Sequence, residues 1–228
     1  MGITAEREGK APPLRPSSIV DSVYTAIYEQ LMALHIAPGA RITIDGLARE
    51  LDVSQTPVRE ALSRLEREGL VRKAHLIGYS AAPQLTRKQF DDLYSFRLLI
   101  EPEGARLAVR NMTAEGLAEL EARAARMRHD GTAPDRSSRY SSFARADADF
   151  HDLILRIGGN EVIRSTLASQ HVHLHIFRLM FHSRVTQEAL KEHDRLMAAF
   201  RDGDGPDAAA AMHEHIERSR DRLLAAFD

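Results

Sequence analysis

The side chains best suited to chemistry in this chain are imidazoles and carboxylates: eleven histidines are present and cysteine is absent. Asp147 and His151 are four residues apart in DADFH, so a helix would place both on one face. His193 lies in EHD and His215 in HEHI, much further along. One carboxylate and three imidazoles converging from three helices would suit Zn, Ni, Mn, Fe or Co; the set is too rich in nitrogen for Mg or Ca. Spacing alone leaves rivals open. His171 and His175 are also four apart and could line a ligand pocket, whereas His213 and His215, two apart, cannot face the same way on a helix. Solvated or core histidines are the plain reading of His129, His182 and His213. Arg97 stands in an otherwise apolar stretch, Leu93 to Ile100. It either pairs with Glu101 one turn on, or its guanidinium holds the carboxylate of a small organic acid beside the metal.

Helices must position these groups, and the chain from Thr86 onward reads as helices only. They are predicted near 87–110, 114–129, 138–157, 161–182, 186–201 and 207–226, forming a bundle. Thr86 and Gln89 make a capping box, Asn160 caps the helix after Gly158-Gly159, and Pro102 should kink or split the first helix. The region before Pro83 has a different grammar. Residues 1–16 mix Gly, Pro and charge without periodicity and read as a flexible tail. A helix capped by Ser17 or Ser18 carries Val20, Val23, Tyr24, Ile27, Leu31 and Leu34 on one face and stops at Ala37-Pro38-Gly39. A short helix from Ile44, capped by Thr43, and a longer one from Thr56 to Glu68 follow, the latter ended by Gly69. Leu70 to Lys73 and Gly78 to Ala81 then read as two strands of a hairpin. Helix, helix, turn, helix, hairpin is the layout of a winged helix-turn-helix over 17–83, beside an all-helical domain over 86–228. The fold class is mainly α.

The head has its own chemistry. A short helix, a tight turn and a longer helix present the second helix's N-terminus to the major groove of double-stranded DNA. That end carries Ser54, Gln55, Thr56 and Arg59: its N–H groups suit phosphate, Arg59 can fork onto guanine and Gln55 can pair with adenine. Arg72, Lys73 and His75 belong to the wing. Residues 1–85 hold ten basic and ten acidic side chains, so the footprint is local: Ser54 to Lys73 has five basic against three acidic.

The segment SQTPVREALSRLEREGLV resembles the signature of the GntR family of bacterial transcription regulators, over about Ser22 to Pro83. The resemblance implies a winged helix-turn-helix that binds a palindromic operator as a homodimer. It puts DNA contacts on Ser54, Gln55, Thr56, Arg59 and the wing around Gly78. Gln55 stands where Arg is common, and Asp45 where some members carry a contacting Arg, so that last contact is not carried over. From Thr86 to Phe227 the chain resembles the FCD effector domain of the FadR-type subfamily, through Phe96-Arg97 with Glu101, Asp147 to His151, Gly159-Asn160, Glu192-His193 and Ala210 to Ile216. Many such domains hold a divalent metal through one Asp and three His, and those positions fall on Asp147, His151, His193 and His215. The resemblance implies a ligand-responsive regulator, in the main a repressor, with zinc as the first candidate metal and a small organic acid as effector.

The 228 residues are 43% apolar and 28% charged with a formal charge of −2, which suits a globular chain with one large or two smaller domains. The absence of cysteine excludes disulfides, thiolate metal sites and a cysteine nucleophile and fits a cytoplasmic setting. No 18-residue apolar run spans a membrane, and the polar N-terminus is not a signal peptide. No HExxH, P-loop, GxGxxG or GxSxG motif occurs, which speaks against an enzyme. The remaining alternatives are a metal-dependent enzyme acting on a small carboxylate, a metal sensor, and a metal-free acyl thioester pocket, the last opposed by the four intact ligand positions.

Overall fold

The computed structural model describes residues 19–74, 78–130, 136–179 and 183–227. The expected tail, the capping serines Ser17 and Ser18, His75 and His182 lie outside the described residues. The head begins with α1 (Ile19–Met32), whose buried stripe is Val23, Tyr24, Ile27, Tyr28, Leu31 and Met32. The strand β1 (Arg41–Ile42) precedes α2 (Ile44–Glu50), and Thr43 caps α2 by accepting from the Gly46 N–H at 3.2 Å. α3 (Gln55–Arg67) buries Pro57, Val58, Ala61, Leu62 and Leu65. It ends in a Schellman motif: Leu70 N–H donates to Leu65 O, Gly69 N–H to Glu66 O, and Gly69 takes φ +72°. β2 (Val71–Ala74) and β3 (Gly78–Ala81) form the hairpin, with Arg72 opposite Ser80 and Lys73 opposite Tyr79. β1 adds to the other edge of β3, giving the antiparallel order β1-β3-β2. The two residues of β1 carry no periodicity and were not expected.

The rest is helical: α4 (Arg87–Arg110), α5 (Ala114–Asp130), α6 (Arg136–Gly158), α7 (Glu161–Ser169), α8 (Val172–Phe177), α9 (Ser183–Asp202) and α10 (Gly205–Leu223), with a final 3-10 turn at Leu224–Ala226. Three expectations need correction. α1 ends at Met32 and not at Ala37-Pro38-Gly39, because Leu34 takes a left-handed φ of +60° and so leaves the helix face. α4 runs unbroken through Pro102, so of the kink or split expected there the split does not occur. The single helix expected near 161–182 is two, because His171 adopts a left-handed φ of +48° and α8 starts afresh behind it. Apolar periodicity continues across that joint, so it carries no sign of the break.

α4 packs against α6 and α10, and α9 against α10. The α4–α6 approach is close at Gly104, where a Cβ would come within 2.2 Å of Leu155 Cδ2. Head and bundle also touch. The Tyr28 hydroxyl donates to Ser141 O at 3.2 Å, and Arg145 donates to the Tyr24 hydroxyl at 2.7 Å while its guanidinium lies over the Tyr28 ring. Among the described residues no helix is long and apolar enough to cross a membrane.

Candidate metal centre and DNA-reading head

The bundle interior is polar where α4, α6, α8, α9 and α10 meet. Glu101, Asp147, His151, His173, His193 and His215 are all at most 7% exposed there. α6 places Asp147 and His151 one turn apart, α9 brings His193 and α10 brings His215. Ligand-capable atoms of His151, His193 and His215 all lie within 4.8 Å of one another. Asp147 Oδ1 is 3.3 Å from His193 Nε2. The three histidines are therefore gathered at one point, with Asp147 beside them through His193, and Glu101, His151 and His173 form a second group of the same kind.

Their outer nitrogens are held by carboxylates. His151 Nδ1 donates to Glu101 Oε2 at 2.6 Å, and His215 Nδ1 donates to Glu192 Oε2 at 2.8 Å. An ionised carboxylate only accepts, so the proton sits on Nδ1 and the lone pair stays on Nε2, facing inward. Burial pushes His151 and His215 down, and His193 well down, from the usual imidazole range, which keeps the rings neutral and fit for ligation. Burial raises the Asp147 carboxyl, but the hydrogen bond from His173 and the neighbouring imidazoles outweigh it and hold the group ionised. The fit to a metal rests on orphaned atoms. Nε2 of His151 and both ring nitrogens of His193 are buried with no hydrogen-bond partner, which an apolar core would not tolerate without compensation. Three imidazoles and one carboxylate are the donor set of a divalent transition metal.

Arg97 makes the pair with Glu101 that was one of its two expected roles. Its Nε donates to Glu101 Oε1 at 2.5 Å, both side chains are buried, and it also lines a small cavity with Asp147, His215, Ser219 and Arg222. That cavity holds about 10 Å³, room for one water. Arg222 and Ser219 were not foreseen: Arg222 pairs with Glu192, and Ser219 with the Tyr94 hydroxyl at 2.8 Å. His171 and His175 do not join the cage. They turn to the head, where a Cβ on Gly69 would come within 2.7 Å of His171 Cδ2 and 3.4 Å of His175 Nε2. His173, between them, points inward, and its Nδ1 donates to Asp147 Oδ2 at 2.8 Å. An i, i+4 spacing says that two residues share a face, not which neighbour the face meets. The alternate residue was the signal for His173. His213 is exposed and pairs with Glu217 at 3.3 Å.

In the head, Ser54, Gln55, Thr56 and Arg59 are exposed at the start of α3, as are Arg72, Lys73 and Gly78 in the wing. Ser54 makes no side-chain cap bond, so the first N–H groups of α3 are not closed off by it. Gln55 is held from both sides: its amide donates to Asp45 Oδ1 at 2.5 Å and accepts from Arg59 at 3.2 Å. Asp45 thus orients the two side chains expected to read bases.

The family "Bacterial regulatory proteins, gntR family" matches residues 19–79, and "FCD domain" matches residues 92–218, more than half the chain. The Nta operon transcriptional regulator of Aminobacter aminovorans is 29% identical over 196 residues, covering 85% of this chain and 89% of its own. The HTH-type transcriptional repressor RspR of Escherichia coli is 25% identical over 207 residues, covering 90% and 89%. The solved structure of E. coli McbR/YncC superposes with a TM-score of 0.68 at 22% identity, covering 93% of this chain and all of that one, a likeness of fold. With the head, the wing and the helical domain each matched, the chain belongs to the GntR family of bacterial DNA-binding transcription regulators, in the group carrying an FCD domain, and is not an enzyme.

Proposed function

We propose that the FCD domain binds a divalent transition metal, zinc first and Ni, Mn or Fe as alternatives, through Asp147, His151, His193 and His215, and with it a small organic acid. The reading rests on one observation: Nε2 of His151 and both nitrogens of His193 are buried without a hydrogen-bond partner where three imidazoles meet beside the Asp147 carboxylate. A bound ion would supply a Lewis-acid centre for a carboxylate. The chain's own residues do the rest. Glu101 and Glu192 fix the His151 and His215 rings, and Arg97 and Arg222 bring two guanidinium groups to the adjoining cavity. Ser54, Gln55, Thr56 and Arg59 contact the operator, with Arg72, Lys73, His75 and the turn at Gly78 along the wing. The regulator works in the cytoplasm as a homodimer, and acid binding relieves repression; RspR, a relative, is itself named a repressor.

The 10 Å³ cavity favours one rival, in which the ion alone is the signal, because an acid must open the site to enter. A thermal-shift screen of sugar acids, hydroxy acids, dicarboxylates and amino acids, with and without EDTA, separates the two. The acid reading expects a hit that EDTA abolishes and that Arg97→Ala loses while zinc still binds. Zinc stabilisation with no acid adding to it leaves the sensor.

A further inference from the structure

We propose that α8 is the link through which occupancy of the histidine cage reaches the DNA-reading helix, with His173 as the positioning residue that ties α8 to Asp147. The inference deepens the metal reading above and rests on it.

α8 is a separate six-residue helix, and each of its sides is attached to a different part of the molecule. On the cage side, His173 Nδ1 donates to Asp147 Oδ2 at 2.8 Å, while Asp147 Oδ1 faces His193. One carboxylate therefore serves both the cage and α8. On the head side, His171 and His175 close over Gly69, the residue that terminates α3. At the C-terminal end, Arg178 Nη2 donates to Ala82 O at 2.8 Å and Arg178 O accepts from the Gln84 amide at 2.6 Å. Ala82 N–H in turn donates to Leu70 O, next to Gly69. Both routes from α8 end at the same Schellman turn behind α3.

The element is also built to move. His171, at its start, holds a left-handed backbone that is unfavourable for a residue with a Cβ. Arg178, at its end, is 1% exposed and leaves Nε and Nη1 without a partner. His173 Nε2 is buried and unpartnered as well, and His171 and His173 border a cleft of about 220 Å³ into which α8 can shift. Buried polar atoms left unmet cost free energy, and a shifted α8 that meets them would recover it. Occupancy of the cage acts on Asp147 and so bears on which of the two α8 adopts.

The test is hydrogen–deuterium exchange on the full chain with saturating Zn²⁺ or with EDTA, alongside zinc affinity by competition with a chromophoric chelator. In the wild type, zinc should slow exchange in α6, α9 and α10 and also change it at 69–74 and 82–84. His173→Phe should weaken zinc by about 10- to 100-fold, as loss of an outer partner does. Once the site is saturated, it should leave the head unresponsive. His173→Asn, whose amide can replace the Nδ1 donor, should restore both. The outward variant His171→Asn/His175→Ala touches no proposed ligand, so it should keep wild-type zinc affinity and cage protection while losing the change at the head. Zinc protection of the cage with no change at the head overturns the link alone, as does a head response that survives both His173→Phe and the outward variant. No zinc protection anywhere overturns the metal reading and the link with it.

Discussion

Truncation of His193 separates the cost of the empty cage from the gain of filling it. The ring is 1% exposed, lies 4.8 Å from Phe150 and 4.7 Å from His215 between centroids, and has two buried nitrogens without a hydrogen-bond partner. In metal-free protein, His193→Ala creates a cavity, which costs about 2–5 kcal/mol for a side chain of this size. It also removes two unsatisfied polar atoms, each of which costs about 1–3 kcal/mol. The two effects oppose, so the net change should stay within about 2 kcal/mol. In loaded protein nothing offsets the loss. Wild type at a free zinc level one hundred times its dissociation constant gains about 2.7 kcal/mol. At about 2–4 °C per kcal/mol for a chain of this length, that raises Tm by about 5–11 °C. The variant should show little of that gain. The assay is calorimetry of both proteins with zinc and with EDTA, plus metal content by mass spectrometry. A full zinc shift in His193→Ala, or bound zinc at wild-type stoichiometry, would refute the placement of the ion. A metal-free variant that collapses would refute the claim that the empty cage is under polar strain.

Arg59→Ala should weaken binding to the selected operator by about 1–3 kcal/mol if the guanidinium reads a base, and Asp45→Ala, by freeing Gln55, should alter sequence preference with an unchanged salt slope; both are read by a salt-series DNA titration. Gly104→Ala should cost about 1–3 kcal/mol by denaturant unfolding, because its Cβ meets Leu155 Cδ2, and Gly104→Ala/Leu155→Ala should cost less than the sum of its parts. Burial holds His175 down at about 4. A folded value below the unfolded one of about 6.5 means the folded state binds fewer protons, so this contribution is full above the unfolded value and is lost as pH falls towards the folded one. Denaturant midpoints should therefore drop less steeply across that window in His175→Gln than in wild type; parallel slopes would mean that His175 is not buried against the head in solution.

Elements defined by local rules were legible. The apolar spacing of α1 as far as Leu31 and of α3, the Thr43 and Asn160 caps and the Thr86–Gln89 box each involve residues within one or two turns, and all are present. What escaped depends on distant partners. β1 exists only because β3 offers it an edge. The joint at His171 is imposed by packing, since nothing in VHLHIF forbids a continuous helix. The cage residues stood out because one element supplies Asp147 and His151 in a recognisable spacing. Their supporting shell did not: Glu192 reaches His215 across 23 residues and His173 reaches Asp147 across 26. Arg222 reaches Glu192 beside the cavity across 30 residues, a pairing that no local pattern marks.

The placement of polarity says why such a domain can report on a ligand. Arg97, Glu101, Asp147, three cage histidines and His173 occupy ground that an all-helical bundle would ordinarily fill with leucine. Replacing a buried polar network by apolar residues is often neutral or stabilising, so stability alone does not explain this one. A ligand shifts an equilibrium only by the difference in its affinity for the two arrangements. A close-packed apolar core leaves no site at which a ligand could make such a difference. Here Asp147 presents one oxygen towards His193 in the cage and the other to His173 on α8. Whatever binds at the cage acts on the same carboxylate that holds α8, and α8 rests on the turn that ends the DNA-reading helix. Because the two contacts meet on a single side chain, occupancy of the cage and a shift of α8 would act on each other through Asp147, which is the coupling the proposal requires.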